Sequence, residues 1–204
     1  MAGGSANRAL AGQSTVGGGI LNTNQASEGS IGGGAKNTVL ASSVRGTIPG
    51  GSHAVARSYG QMAYASGAFL NPGAAQASTY VLRGTTSDAS PTELLLDAGD
   101  SGSQRMKMPL KGTWFFEISI IAKRTVSTGY VASYQIKGMA SRNVFGDVSL
   151  IGTPVKSEFD GSWTDWDASV EPNTSNGALS VKVTGSAGFD IKWVASVRTV
   201  EIID

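Results

Sequence analysis

Acidic and aromatic residues crowd into one stretch of the chain, Glu158-Phe159-Asp160-Gly161-Ser162-Trp163-Thr164-Asp165-Trp166-Asp167. Paired carboxylates beside tryptophans are what glycoside hydrolysis uses: one carboxyl is the acid, the other the base or nucleophile, and the rings hold the sugar. The same residue types also suit recognition without chemistry. An indole stacks on the apolar face of a sugar while Asp and Thr bond its hydroxyls. Trp163 and Trp166 are three apart, so on one strand they point to opposite sides. One is then core, and the other is either a surface anchor or part of an interface between subunits. Asp160, Trp163, Asp165, Trp166 and Asp167 are the predicted receptor-binding residues, with Asp160-Gly161 at the tip of a turn. The loops 87–92 and 141–147 are the next places to look. Asp160, Asp165 and Asp167 lack the spacing and the glycine of a dedicated calcium loop, so no metal is expected.

The remaining candidates for chemistry are few. His53 is the only histidine and there is no cysteine, which argues against a zinc site, a disulfide or a histidine-based triad. His53 reads as a variable position in a degraded repeat. The Gly-Gly-Gly runs lack the Gly-Lys-Ser/Thr ending and the strand–turn–helix setting of a phosphate loop. No catalytic residue and no cofactor is therefore assigned, and the expectation is a protein that is not an enzyme. The net charge is +1, and the densest basic cluster is the pair Lys123-Arg124. Nucleic acid and membrane are accordingly not expected as partners.

Two kinds of element must position these residues. In the first part, Val16-Gly17-Gly18-Gly19-Ile20-Leu21-Asn22-Thr23 recurs as Ile31-Gly32-Gly33-Gly34-Ala35-Lys36-Asn37-Thr38, and then, degraded, from Ile48 to Val55. The copies start 15 and then 17 residues apart, which is one coil of a β-solenoid per repeat. The branched residue points inward, and the glycines, Gly33 among them, occupy corners with no room for a side chain. Tyr59, Met62, Tyr64 and Phe69 give the last coil a bulky, cap-like end. Large apolar and aromatic residues number 16 in the first 75 positions and 42 in the remaining 129, so only the second part can build a core of its own. The coil needs partners, and identical chains in closed symmetry supply them.

The pattern Ile-Gly-Gly-Gly-x-x-Asn-Thr-x-x-Ala-Ser resembles the left-handed β-roll repeats of trimeric autotransporter adhesin heads. It is also similar to the stalks of bacteriophage tail fibres and tailspikes. The likeness covers Ser14 to Phe69, about a quarter of the chain. It implies a homotrimer whose repeat cores lie near a common axis. Met1 to Ala6 lacks the charged start and apolar run of a secretion signal, and no stretch approaches a membrane span. That favours a phage fibre over an adhesin: a virion tail component assembled in the host cytoplasm. A purely structural fibre and a fragment of a bacterial adhesin are the competing readings. Tailspikes that cut polysaccharides carry their cleft on a longer β-helix, which supports the non-catalytic expectation.

The second part reads as short strands. Trp114, Phe116, Ile118 and Ile120 alternate with Phe115, Glu117, Ser119 and Ile121, apolar at first on both faces, which predicts a strand buried on both sides. Tyr130, Ala132, Tyr134 and Ile136 form its hairpin partner. Leu179, Val181 and Val183 follow Asn176-Gly177, and Phe189, Ile191, Trp193, Ala195 and Val197 share another face. The segment from Gly112 to Gly138 also resembles the tip domains of some tail-fibre-like proteins. The predicted architecture is all-β. Residues 1–13 form a flexible or attachment segment that meets other virion tail proteins, 14–70 a left-handed β-roll shaft in a trimer, and 71–79 a linker. Residues 80–204 form a C-terminal antiparallel β-sandwich, jelly-roll-like, for binding a host glycan or protein.

Overall fold

The repeat period becomes the pitch of a coil. The computed structural model describes residues 3–99, 104–126, 130–161 (backbone only at 160 and 161) and 165–204. Its first strands are short: β1 (Arg8–Ala9), β2 (Thr15–Val16), β3 (Thr23–Asn24), β4 (Ser30–Ile31), β5 (Thr38–Val39), β6 (Thr47–Ile48), β7 (Val55–Ala56) and β8 (Met62–Tyr64). They stack in parallel as two interleaved ladders, β1-β3-β5-β7 and β2-β4-β6-β8. A third line of single bridges joins Ser5, Ile20, Ala35, Ser52 and Ser66. The register sets Val16, Ile31 and Ile48 in one buried column, as the repeat predicts. So narrow a coil holds little else: its interior is completed by Val39 and by Ala26, Ala54, Ala56, Ala63 and Ala65.

Amides and backbone supply what side-chain volume does not. Asn22 is fully buried. Its Nδ2 donates to the carbonyls of Gly18 (3.0 Å) and Gly34 (2.9 Å), and its Oδ1 accepts the Asn37 N–H at 3.0 Å. Asn37 repeats the arrangement one coil on, donating to Gly33 and Gly51 and accepting from the Ala54 N–H at 2.9 Å. Asn7 starts the series by accepting from the Asn22 N–H. Every polar atom of these two buried amides is used, so they stabilise rather than burden the interior.

The tight corner is the third glycine of each run, not the second. A Cβ on Gly34 (φ +86°) would lie 2.0 Å from the Gly51 carbonyl oxygen of the next coil, and Gly19 repeats this against Gly34. At Gly33 a Cβ meets nothing within 4 Å, which corrects the expectation that it has no room. His53 occupies a left-handed corner at φ 64°, the place held by Leu21 and Lys36 in the earlier coils.

The coil is ended by strand pairing rather than by bulk. Met62, Tyr64 and Phe69, expected as a cap, are exposed, and Ala63 and Ala65 face inward. After the turn at Asn71-Pro72-Gly73, β9 (Ala75–Thr86) runs antiparallel to β8, with Ala63 opposite Ser78. Gln76 grips the last coil through both Val55 backbone groups and donates to buried Glu201 at 3.0 Å. Thr199 and Tyr80 hydroxyls reach the other Glu201 oxygen at 2.7 and 3.3 Å. Burial, then the neighbouring Glu201 carboxylate, push the Tyr80 phenol well above its ordinary range. These residues belong to the first of two compact units, Met1–Tyr80 with Lys111–Trp114 and Thr199–Asp204.

The second unit, Val81–Leu110 with Phe115–Arg198, is built from larger residues. The further strands of the chain are β10 (Thr92–Leu94), β11 (Met106–Lys107), β12 (Gly112–Arg124), β13 (Val131–Arg142), β14 (Val148–Gly161), β15 (Asp167–Asn173), β16 (Ala178–Thr184) and β17 (Ile191–Ile203), β12 starting and β17 ending in the first unit. One sheet has the order β14-β13-β12-β17-β9, and a second places β10, β11 and β15 against β16. The all-β expectation holds, with one 3-10 turn among the described residues, at Thr174–Asn176. Phe116, Ile118, Tyr134, Ile136, Ile191, Trp193 and Val197 from the first sheet are buried, as are Val170, Leu179, Val181 and Val183 from the second. Trp193 stacks on Tyr134 at 6.5 Å, and its indole N–H donates to Thr86 Oγ1 at 2.9 Å. The strand from Trp114 is buried on one side only: Phe115 and Ile121 are about half exposed. Two layers leave each sheet an outer face, so the double-sided apolar start of that strand does not mean double-sided burial.

Candidate functional site

The acidic and aromatic stretch lies where β14 ends and β15 begins. β14 is an edge strand, and a sandwich is open between its two sheets at such an edge. Lys156 on β14 pairs with Asp167 on β15, both partners about half exposed. Trp166 is 3% exposed. Its ring lies 5.9 Å from that of Trp193, its Nε1 donates to Ser186 Oγ at 3.0 Å, and its carbonyl accepts the Tyr134 hydroxyl at 2.9 Å. Burial first, and then the carboxylates of Glu158 and Asp167, push the Tyr134 phenol up to about 12. Tyr134 therefore stays protonated and acts as a donor that fixes the Trp166 backbone.

The predicted site residues fall apart on this frame. Trp166 is framework and cannot offer its ring to a ligand. Asp167 is an ion-pair partner at the start of β15, and Asp165 is exposed in the turn before it. The backbone of Asp160 pairs with Ser133. Trp163 lies outside the described residues. Among the described residues no three of His, Cys, Asp and Glu are placed to hold a metal ion, and no helix is long and apolar enough to cross a membrane.

Among the aromatics shown to solvent in the second unit are two phenylalanines. Phe159, inside the predicted stretch but not singled out there, is 68% exposed, and Phe145 is 86% exposed. Phe145 sits in the loop between β13 and β14, which is locked from within. Asn143 Oδ1 accepts the backbone N–H groups of Phe145 and Asp147, both at 2.9 Å, while Asn143 Nδ2 donates to Asp147 Oδ2. Arg142 ties the base of the loop, donating to the carbonyls of Gly146 (3.1 Å) and Met108 (2.8 Å). An exposed ring on a pre-organised loop loses little freedom on binding, which is what an anchor residue needs. The signal was readable: an Asn two and four residues before its N–H partners is turn chemistry.

Three solved structures that the chain matches are phage tailspikes. One is the tailspike protein gp49 of Acinetobacter baumannii bacteriophage Fri1, a capsular polysaccharide depolymerase, at 10% identity and a TM-score of 0.33, covering 91% of this chain and 33% of that one. Another is the tailspike of A. baumannii phage AM24, at 10% identity and a TM-score of 0.32, covering 92% and 45%. A third is the tailspike of Acinetobacter phage vB_ApiP_P1, at 12% identity and a TM-score of 0.25, covering 89% and 41%. The chain thus spans between a third and a half of the length of these proteins. No protein-family model and no curated protein matches the sequence. The Fri1 protein corrects the non-catalytic expectation: it is an enzyme, and the exclusion of catalysis drawn from chain length is withdrawn.

Proposed function

We propose that the chain is a tail-fibre or tailspike-type component of a phage virion that attaches to a host surface glycan or protein through its second unit. In this reading the coil is left-handed, three copies associate through it, and the N-terminal segment meets other tail proteins. The thin interior of the coil supports association, as do Leu10, Ile20 and Leu21, which are about half exposed or more. The observation that carries the attachment role is Phe145, held almost wholly in solvent by a loop whose hydrogen bonds are made internally. Three linked copies multiply a weak contact by roughly 10²–10⁴.

The test is adsorption of the full chain to host cells by the parent and by Phe145→Ala. Removing an anchor ring costs about 2 kcal/mol, so adsorption falls about thirtyfold or more at unchanged circular dichroism and mass. Unchanged adsorption by the folded variant rejects Phe145 as the anchor. New reducing ends released during the same incubation report glycan cleavage.

A further inference from the structure

The end of β12 and the start of β17 bring three cations to one hollow. Lys123, Arg124 and Lys192 line a cavity of about 350 Å3 together with Ile121, Thr125 and Val194. The two strands are locked there, because the Thr125 N–H and hydroxyl both donate to the Asp190 carbonyl, at 2.9 and 3.0 Å. Arg124 is aimed by its neighbours: its guanidinium lies 3.9 Å over the Phe189 ring and 5.4 Å from the Tyr130 ring. Ring stacking leaves the N–H edge of a guanidinium unspent. Among the described residues neither Lys123 nor Lys192 has an ion-pair partner and no carboxylate is in the lining.

A second cavity, of about 290 Å3, shares Lys192 and Val194 and continues past Gly84 and Thr85 to Arg83. Through these shared residues they form one groove lined by cations and by the apolar Ile121 and Val194. Three like charges around one hollow repel each other, and an anion there relieves the repulsion. Both volumes lie near the lower end of ligand-site size, which suits one sugar ring in each better than a bare inorganic ion. The aromatic rings near the groove are committed, Tyr130 and Phe189 to Arg124, while Trp193 is 1% exposed. Single-stranded nucleic acid would need free rings for its bases.

We propose that this groove binds an acidic saccharide, a sugar carrying a carboxylate, sulfate or phosphate, with the anionic group against Lys123, Arg124 and Lys192. The assignment rests on the attachment reading and names the class of receptor. The test uses the full chain and the double variant Lys123→Glu, Lys192→Glu on a printed panel. The panel carries uronate-, sialate-, sulfate- and phosphate-bearing oligosaccharides, their neutral counterparts and a short oligothymidylate. The parent binds acidic sugars alone, with a signal that falls as salt rises, because exposed charges are screened within about 8 Å at physiological ionic strength. The double variant, at unchanged circular dichroism and mass, loses roughly tenfold or more, while Lys123→Arg, Lys192→Arg retains binding. No acidic spot bound by the parent, equal signals on neutral sugars, undiminished binding by the charge-reversed variant, or an equal signal on the oligothymidylate each overturns it. Cell adsorption separates the two levels. A parent that adsorbs to host cells but ignores every acidic sugar rejects this groove and leaves attachment standing. A parent that fails to adsorb rejects attachment, whatever the panel shows.

Discussion

The coil and the sandwich unit reach the same end, a fixed backbone, by opposite means. In the coil each turn contributes one or two valine or isoleucine side chains and some alanines, and a Cβ at the third glycine of a run would meet a carbonyl of the next coil. Its stability lies in backbone contact and in amides such as Asn22 and Asn37, each of which links neighbouring coils through its hydrogen bonds. In the sandwich unit three large rings, Tyr134, Trp166 and Trp193, meet in one core. There the stabilisation comes from apolar area removed from water. The lesson is that adding an atom damages the coil most, while removing atoms damages the sandwich most.

The contrast breaks most sharply at Gly34. Gly34→Val places a branched side chain at φ +86° and 2.0 Å from the Gly51 oxygen, and it costs more than about 4 kcal/mol. Gly33→Val, one residue away with open space around it, costs under about 1 kcal/mol. Urea midpoints of the two variants decide it: equal losses would mean that close approach is not what holds the coils together. Next in size is Trp193→Ala, which empties the centre of the sandwich and costs about 3–5 kcal/mol by the same measurement. A loss below about 1 kcal/mol would show that the ring cluster is not the core.

Asn37→Ala probes the amide ladder. It leaves the Ala54 N–H and the Gly33 and Gly51 carbonyls without that partner, at a cost of about 3 kcal/mol. Hydrogen exchange at Ala54 should quicken with it, and unchanged protection there would remove the ladder from the account. The smallest effect belongs to Lys156→Ala. Its ion pair with Asp167 is about half exposed, so the thermal midpoint moves by the equivalent of under about 1 kcal/mol. A larger loss would make that pair a true closure of the sandwich edge.

The sequence showed some of this and hid the rest for definite reasons. Val16, Ile31 and Ile48 announce the coil because branched residues recurring at nearly the same spacing have one economical arrangement. Asn22 and Asn37 stand in the same repeat, but a buried asparagine looks like a turn residue until the carbonyls around it are known. Trp163 and Trp166 invite an alternation argument that holds only within one strand, yet β14 ends at Gly161 and β15 starts at Asp167. Trp166 is therefore free to turn inward, and Phe159 and Phe145 take the exposed positions. The groove was the least legible feature. Lys123-Arg124 alone is an ordinary pair, and only the pairing of β12 with β17 adds Lys192 from far along the chain.

The central claim is that a coil with so thin an interior is completed by other copies of itself. Sedimentation equilibrium of the full chain at micromolar concentration measures this directly. The account predicts three times the 20.9 kDa chain mass, with Gly34→Val falling toward the single-chain mass while Gly33→Val stays assembled. A stable, fully folded parent sedimenting at 20.9 kDa would contradict it.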